Sequence, residues 1–270
     1  TFIIYGMITG ESIGDLFLSG IVPGLIFGFM LCIMVFIKSK RYGWKGDTQR
    51  ASLKEIGRLF LDTIWGLLSP VIVLGGIYSG LFTPTEAAAV AVVYSLIVGI
   101  FVYKELRLAE LKETLFSTAK TTGMILLIIM NAGIFSWVLT QQGIAASLTE
   151  MALALTDNKY IMLFIINIVF LCAGCVMDNT SALYILVPII MPIAKALDIN
   201  MIQLGVILVL NLSIGQVTPP VGPNLYVAAD IGKVKFEEIC RKMVPLLLMS
   251  LLALLCITYI PALSLCLIPS

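Results

Sequence analysis

The chain has 270 residues, 60% of them hydrophobic and only 12% charged, with a mean hydropathy of +1.05 and a formal net charge of +1. Soluble domains hold about 45–50% apolar residues, so this composition excludes a soluble globular enzyme and predicts an all-α protein that crosses a lipid bilayer several times. The chain has no His, the commonest metal ligand and general base, and no nucleophile and base pair can be named; with the basic residues confined to short stretches, the composition argues against an enzyme and against a nucleic-acid partner.

The opening "TFIIYG" has neither a Met nor the basic, apolar and small-residue order of a signal peptide. The expectation is one piece of a longer polypeptide. The first run able to cross a hydrocarbon core of about 30 Å covers 21–37, and a basic stretch, 38–58, follows with Lys38, Lys40, Arg41, Lys45, Arg50, Lys54 and Arg58. Runs at 59–81 and 86–103 flank "LFTPTEAAAV", in which Thr83, Pro84 and Glu86 stand at the N-cap, first and third positions of a capping box. The stretch "KELRLAELKETLFSTAK", 104–120, alternates charge and Leu at helical spacing and reads as an interfacial amphipathic helix. A run at 122–153 contains Asn131 and Gly133, residue types that kink a span or line a cavity. Trp65 and Trp137 read as interface anchors or packing.

Two shorter arms, 160–177 and 181–197, enclose "MDNTS". Asp178 or Asn179 there would cap a following helix at a surface, but at membrane depth a carboxylate is expensive and its presence points to function. The oxygen ligands of Asp178, Asn179, Thr180 and Ser181 suit a small hard cation. Cys172 and Cys175 form a C-x-x-C, read as small apolar packing residues rather than as a redox or metal pair. The run 203–229 holds "NLSIGQVTPPVGPNLYVA", where Pro219 and Pro220 each remove an amide donor and Gly215 and Gly222 permit unusual backbone angles. This helix is predicted to break within the membrane. The carbonyls freed before Thr218 then need a ligand, water or packed protein. A last run covers 244–265.

The positive-inside rule places 38–58, 104–120 and 230–243 in the cytoplasm, leaving only Lys159 and Lys195 of the 17 basic residues outside. Two readings of 160–197 satisfy this parity, a pair of crossings and a re-entrant hairpin that enters and leaves on the outer side.

Three segments, "GGIYSGLFTPTEAAAVAVVYSL", "GCVMDNTSALYILVPIIMPIAKALDIN" and "NLSIGQVTPPVGPNLYVA", together resemble the large membrane subunit of tripartite ATP-independent periplasmic (TRAP) transporters, along essentially the whole chain. The resemblance implies an ion-transporter-superfamily-like elevator fold in the bacterial inner membrane, built from inverted repeats that each contain a re-entrant hairpin and a broken helix. It makes 160–197 the outward-opening hairpin. The implied function is Na⁺-coupled import of an organic acid, a C4-dicarboxylate or a sialic acid, delivered by a periplasmic binding protein and assisted by a small membrane subunit, fused or separate. The alternative is a channel or non-transporting scaffold subunit.

On this reading 1–58 is the last span of the first repeat with a cytoplasmic connector, 59–121 holds scaffold helices and the interfacial arm, 122–230 belongs to the transport domain, and 231–270 is the final span. Tyr5 to Pro23 is spaced much as Tyr226 to Pro245, an internal echo of the two repeats. Asp178, Asn179, Thr180 and Ser181, with Gly215, Val217 and Thr218, are expected to form one Na⁺ site in which carbonyls and hydroxyls do most of the coordination. Pro219, Pro220, Gly222 and Asn224 are expected to shape the start of the second half-helix, whose positive end can face a substrate carboxylate.

Overall fold

The computed structural model describes residues 1–43 and 52–268, and all the elements among them are helical. In chain order they are α1 (Phe2–Thr9), α2 (Ile13–Tyr42), α3 (Leu53–Tyr78), α4 (Pro84–Ile97) with a π-helical turn (Val98–Val102), α5 (Leu108–Gln141), α6 (Ile144–Leu155), α7 (Lys159–Val176), α8 (Asn179–Ala196), α9 (Met201–Gly215), α10 (Pro223–Gly232), α11 (Phe236–Tyr259) and α12 (Ala262–Leu265). Seven helices among the described residues are long and apolar enough to cross a membrane, including both α7 and α8. The chain is a polytopic α-helical membrane protein. It divides into one compact unit of residues 1–43 with 128–270 and a second of residues 44–127, the boundary falling inside α5.

Helix starts follow local capping chemistry. The Ser12 hydroxyl accepts from Asp15 N at 3.3 Å, Asn158 Oδ1 from Tyr160 N at 2.9 Å, and Asn200 Oδ1 from Ile202 N and Gln203 N at 2.9 and 3.0 Å. Each takes up a donor that the first helical turn leaves without a carbonyl. The capping box is present: Glu86 N donates to Thr83 Oγ1 at 3.3 Å, and Glu86 Oε2 accepts from Thr83 N at 2.8 Å.

Two boundaries differ from the sequence expectation. The amphipathic stretch 104–120 is not a helix of its own, because α5 begins at Leu108 and runs on without a break into the next apolar run. Thr121, Thr122 and Gly123 at the junction are weak helix formers, but a Gly costs only about 1 kcal/mol and each Thr less. The run 122–153 in turn is two helices, α5 and α6, divided at Gly143, whose φ is +64°.

In the first unit the core lies where α1, α2, α7, α8, α9 and α11 meet, around Tyr5, Leu16, Phe170, Leu183, Leu204, Ile207, Leu208 and Leu212, none more than 1% exposed. Tyr5 donates to the Met201 carbonyl at 2.7 Å, and its ring lies against Gly205, where a Cβ would come within 2.6 Å of it. The echo in the sequence is an echo in structure. Like α1 and α2, α10 and α11 form a short helix, a left-handed residue (Gly10, Lys233) and a long helix with an internal proline (Pro23, Pro245).

Lys38 Nζ donates to the Lys242 carbonyl at 3.1 Å, so the end of α2, with Lys38, Lys40 and Arg41, meets the basic start of α11 at one end of this unit. At the other end of α11 the Tyr259 hydroxyl approaches Tyr160 O, at the base of the α7–α8 pair, at 3.4 Å. The base of that pair is therefore remote from the positive end. In the second unit Tyr94 OH donates to Trp65 O at 2.6 Å and Tyr103 OH to Asp62 O at 3.2 Å, stitching the α4 segment to α3.

Candidate ion and substrate site

The polar stretch Asp178 to Ser181 stands at the joint of a helical hairpin. α7 ends at Val176, Met177 and Asp178 form a two-residue turn, and α8 begins at Asn179. Asp178 does what a short carboxylate does at an N-cap: Oδ2 accepts from Ser181 N at 3.0 Å and Oδ1 from the Ser181 hydroxyl at 2.6 Å. Both carboxylate oxygens are thus engaged by the helix start, and the residue itself is exposed. Asn179 is different. Its Oδ1 is buried with no hydrogen-bond partner among the described residues.

The break in the long run 203–229 lies between α9 and α10, at 216–222. α9 has 15 residues and so rises about 22 Å, less than a hydrocarbon core of about 30 Å. The carbonyls before the prolines are mostly satisfied by the protein. Gln216 N donates to Leu212 O at 3.1 Å, Val217 N and Thr218 Oγ1 to Ile214 O at 3.1 and 2.7 Å, and Thr218 N to Gly215 O at 2.9 Å. Asn224 N reaches back to Gln216 O at 3.1 Å. No backbone donor among the described residues reaches the carbonyls of Val217 and Thr218: Pro219 and Pro220 have no N–H, and Gly222 N is taken by Cys175 O.

The hairpin turn and the break are brought together by glycine. A Cβ on Gly215 would lie 2.6 Å from both Cα and C of Gly174, so only a glycine pair lets α7 and α9 come this close. Three polar contacts cross the seam. Gly222 N donates to Cys175 O at 3.2 Å, and Gln216 Nε2 donates to Met177 O at 3.0 Å and to Gly174 O at 3.4 Å. Gly222 holds φ +49°, a left-handed angle that sets up Pro223 as the first residue of α10.

Among the residues singled out from sequence, Gly215 and Gly222 sit on this seam, and Val217 and Thr218 are half-buried beside it. Asn179 and Thr180 are half-buried at the start of α8, while Pro219, Pro220 and Asn224 are exposed. The start of α10 offers fewer free amides than expected of a substrate-facing helix end. Pro223 has none, Asn224 N is used by Gln216 O, and Leu225 N bonds Gly222 O at 2.7 Å.

Sequence reasoning missed Gln216 and Gly174. The signal for Gln216 was its position between Gly215 and Pro219, where a long amide can satisfy carbonyls across a gap. Gly174 offers the same signal as Gly215, a small residue directly beside a polar island. Cys172 is exposed and Cys175 buried, both as free thiols.

Helices broken within the membrane recur at the binding sites of secondary transporters. Residues 1–263 match the model of the family described as "Tripartite ATP-independent periplasmic transporter, DctM component", and the chain belongs to that family. It is 43% identical, over 98% of its length, to the C4-dicarboxylate TRAP transporter large permease protein DctM of Pseudomonas aeruginosa. It is 40% identical over 97% to the isethionate TRAP transporter permease protein DctMQ of Oleidesulfovibrio alaskensis, and 36% identical over 97% to the sialic acid TRAP transporter large permease protein SiaM of Vibrio cholerae. The chain spans 62%, 41% and 61% of those three proteins.

Proposed function

We propose that this chain is part of the large transmembrane subunit of a Na⁺-coupled importer of a small organic acid in the bacterial inner membrane. A periplasmic binding protein delivers the acid, a small membrane subunit completes the assembly, and the hairpin and broken helix move as an elevator. The relatives' names point to organic anions as the substrate class: C4-dicarboxylates, isethionate and sialic acid.

The observation that carries the Na⁺ assignment is the seam between hairpin and break. On its hairpin side is the buried Asn179 Oδ1 without a donor, and on its break side are the carbonyls of Val217 and Thr218 and the Thr218 hydroxyl, whose proton goes to Ile214 O and whose lone pairs remain available. These are neutral oxygens with room in their coordination, the donor set that a hard monovalent cation takes. Asp178, Thr180 and Ser181 add the negative potential and hydroxyls of the α8 start, and Gly215 supplies the close approach. A bound Na⁺ would supply positive charge that draws the two segments together. An ion shared between them favours the closed seam only by as much as it binds that state better.

The test is uptake by the full-length protein with its small subunit and binding protein in vesicles, with a panel of carboxylic and sulfonic acids. Accumulation against the substrate gradient, driven by an inward Na⁺ gradient and abolished by collapsing it, is the expected result. Flux that only runs downhill and ignores Na⁺ would make the chain part of a channel.

A further inference from the structure

Four of the buried polar residues in the core of the first unit join into one strip. Asn167 on α7, Gln203 and Asn211 on α9, and Thr258 on α11 are 5%, 5%, 0% and 0% exposed. They bond in series: Gln203 Nε2 donates to Thr258 O at 3.1 Å, Asn167 Nδ2 to Thr258 Oγ1 at 3.0 Å, and Asn211 Nδ2 to Asn167 Oδ1 and O at 2.8 and 2.9 Å. The strip starts at a cavity of about 160 Å³ between Lys159, Asp198, Asn200 and Gln203, and it ends at Asn211, four residues before Gly215. There Asn211 Oδ1 is buried with no partner among the described residues.

A buried acceptor left unpaired is a cost to stability, so a gain in stability is a poor reason for this strip. Apolar side chains pack in several registers, whereas a buried amide pair is satisfied in one, which is how polar core residues specify alignment. The register of α7 on α9 has a direct consequence at the seam. If α7 slides or turns, Cys175 O and Met177 O part from Gly222 N and Gln216 Nε2, and Gly174 leaves Gly215.

We infer that the Asn167–Asn211 pair, anchored to α11 through Thr258, sets the register of α7 on α9 and so holds the hairpin turn against the helix break. Asn167 and Asn211 are positioning residues for the proposed ion site, and the inference rests on that site only for its effect on transport. The register itself is independent of any ion.

The test uses the full-length assembled protein and amide hydrogen exchange in Na⁺-free buffer, followed in the segments 172–182 and 214–224. The Asn167→Leu/Asn211→Leu double variant replaces both amides by apolar groups of similar size. Its two segments are expected to exchange at least about tenfold faster than wild type, with the Na⁺ concentration for half-maximal uptake raised several-fold. Ser250→Ala, which removes a buried hydroxyl bonded only within its own helix, to Leu246 O at 2.9 Å, is expected to leave both segments unchanged. Wild-type exchange in both segments of a folded double variant overturns the inference. Should the double variant not fold, Thr258→Val removes the anchor with little change of shape, and unchanged exchange there overturns it equally. Na⁺-independent uptake by the wild type would instead remove the proposed function and leave the exchange result standing.

Discussion

Gly215 is the residue at which the packing is least forgiving. Its missing side chain is occupied by the Gly174 backbone at 2.6 Å, whereas a Cβ on Gly174 would meet Gly215 Cα at 3.1 Å and Leu212 O at 3.2 Å. Backbone gives less readily than a side-chain tip, so Gly215→Ala is expected to separate α7 from α9 and to lower the unfolding temperature more than Gly174→Ala. Equal melting temperatures for the two would contradict this packing. Tyr5→Phe removes a hydrogen bond to Met201 O without changing the ring, and a loss of about 1 kcal/mol in denaturant unfolding is expected. At this scale the capping role of Asp178 was legible from sequence. Its carboxylate bonds to Ser181, so Asp178→Asn, which keeps one acceptor, should cost less than Asp178→Ala. The buried acceptors of Asn179 and Asn211 were not legible, because whether a side chain finds a partner depends on helices distant in sequence.

Among the elements, the hairpin, the break and the α4 start were legible because each is marked by local chemistry: polar residues between apolar runs, paired prolines, and a Thr-Pro-x-Glu order. The capping box stabilises α4 on its own account. Thr83→Ala is expected to cost about 1 kcal/mol and to leave the Na⁺ dependence of uptake unchanged; a shifted Na⁺ dependence with normal folding would place this turn in the transport path. The continuity of α5 was not legible, since a change from amphipathic to mainly apolar composition looks like a boundary although there is no proline between Leu108 and Gln141. The seam was legible in part. The sequence indicates freed carbonyls at the break, but the Thr218 hydroxyl and the turn amides, Gln216 N among them, take most of them. Only the fold shows that the Val217 and Thr218 carbonyls are the ones left.

For the whole molecule, charge and contacts agree on direction. Lys38 meets Lys242 at the basic end of α2 and α11, while the base of the hairpin lies against Tyr259 at the opposite end of α11. If the positive-inside rule puts the basic end in the cytoplasm, both ends of the hairpin are expected outside. Single cysteines at Asn158 and Asp198 of an otherwise Cys-free full-length protein should both react with an impermeant maleimide from the periplasmic side; reaction of one from each side would make α7 and α8 successive crossings. The central claim is that the hairpin turn and the helix break share one cation through Asn179 and Thr218. Its most direct measurement is the initial rate of substrate uptake against Na⁺ concentration in vesicles, for the wild-type full-length protein, Asn179→Leu and Thr218→Val. Each substitution removes one oxygen and keeps the approximate shape, and each should raise the Na⁺ needed for half-maximal uptake by about tenfold, the equivalent of roughly 1.4 kcal/mol. Wild-type Na⁺ dependence in both variants, with normal folding, would contradict the claim and leave the polar turn as a helix cap alone.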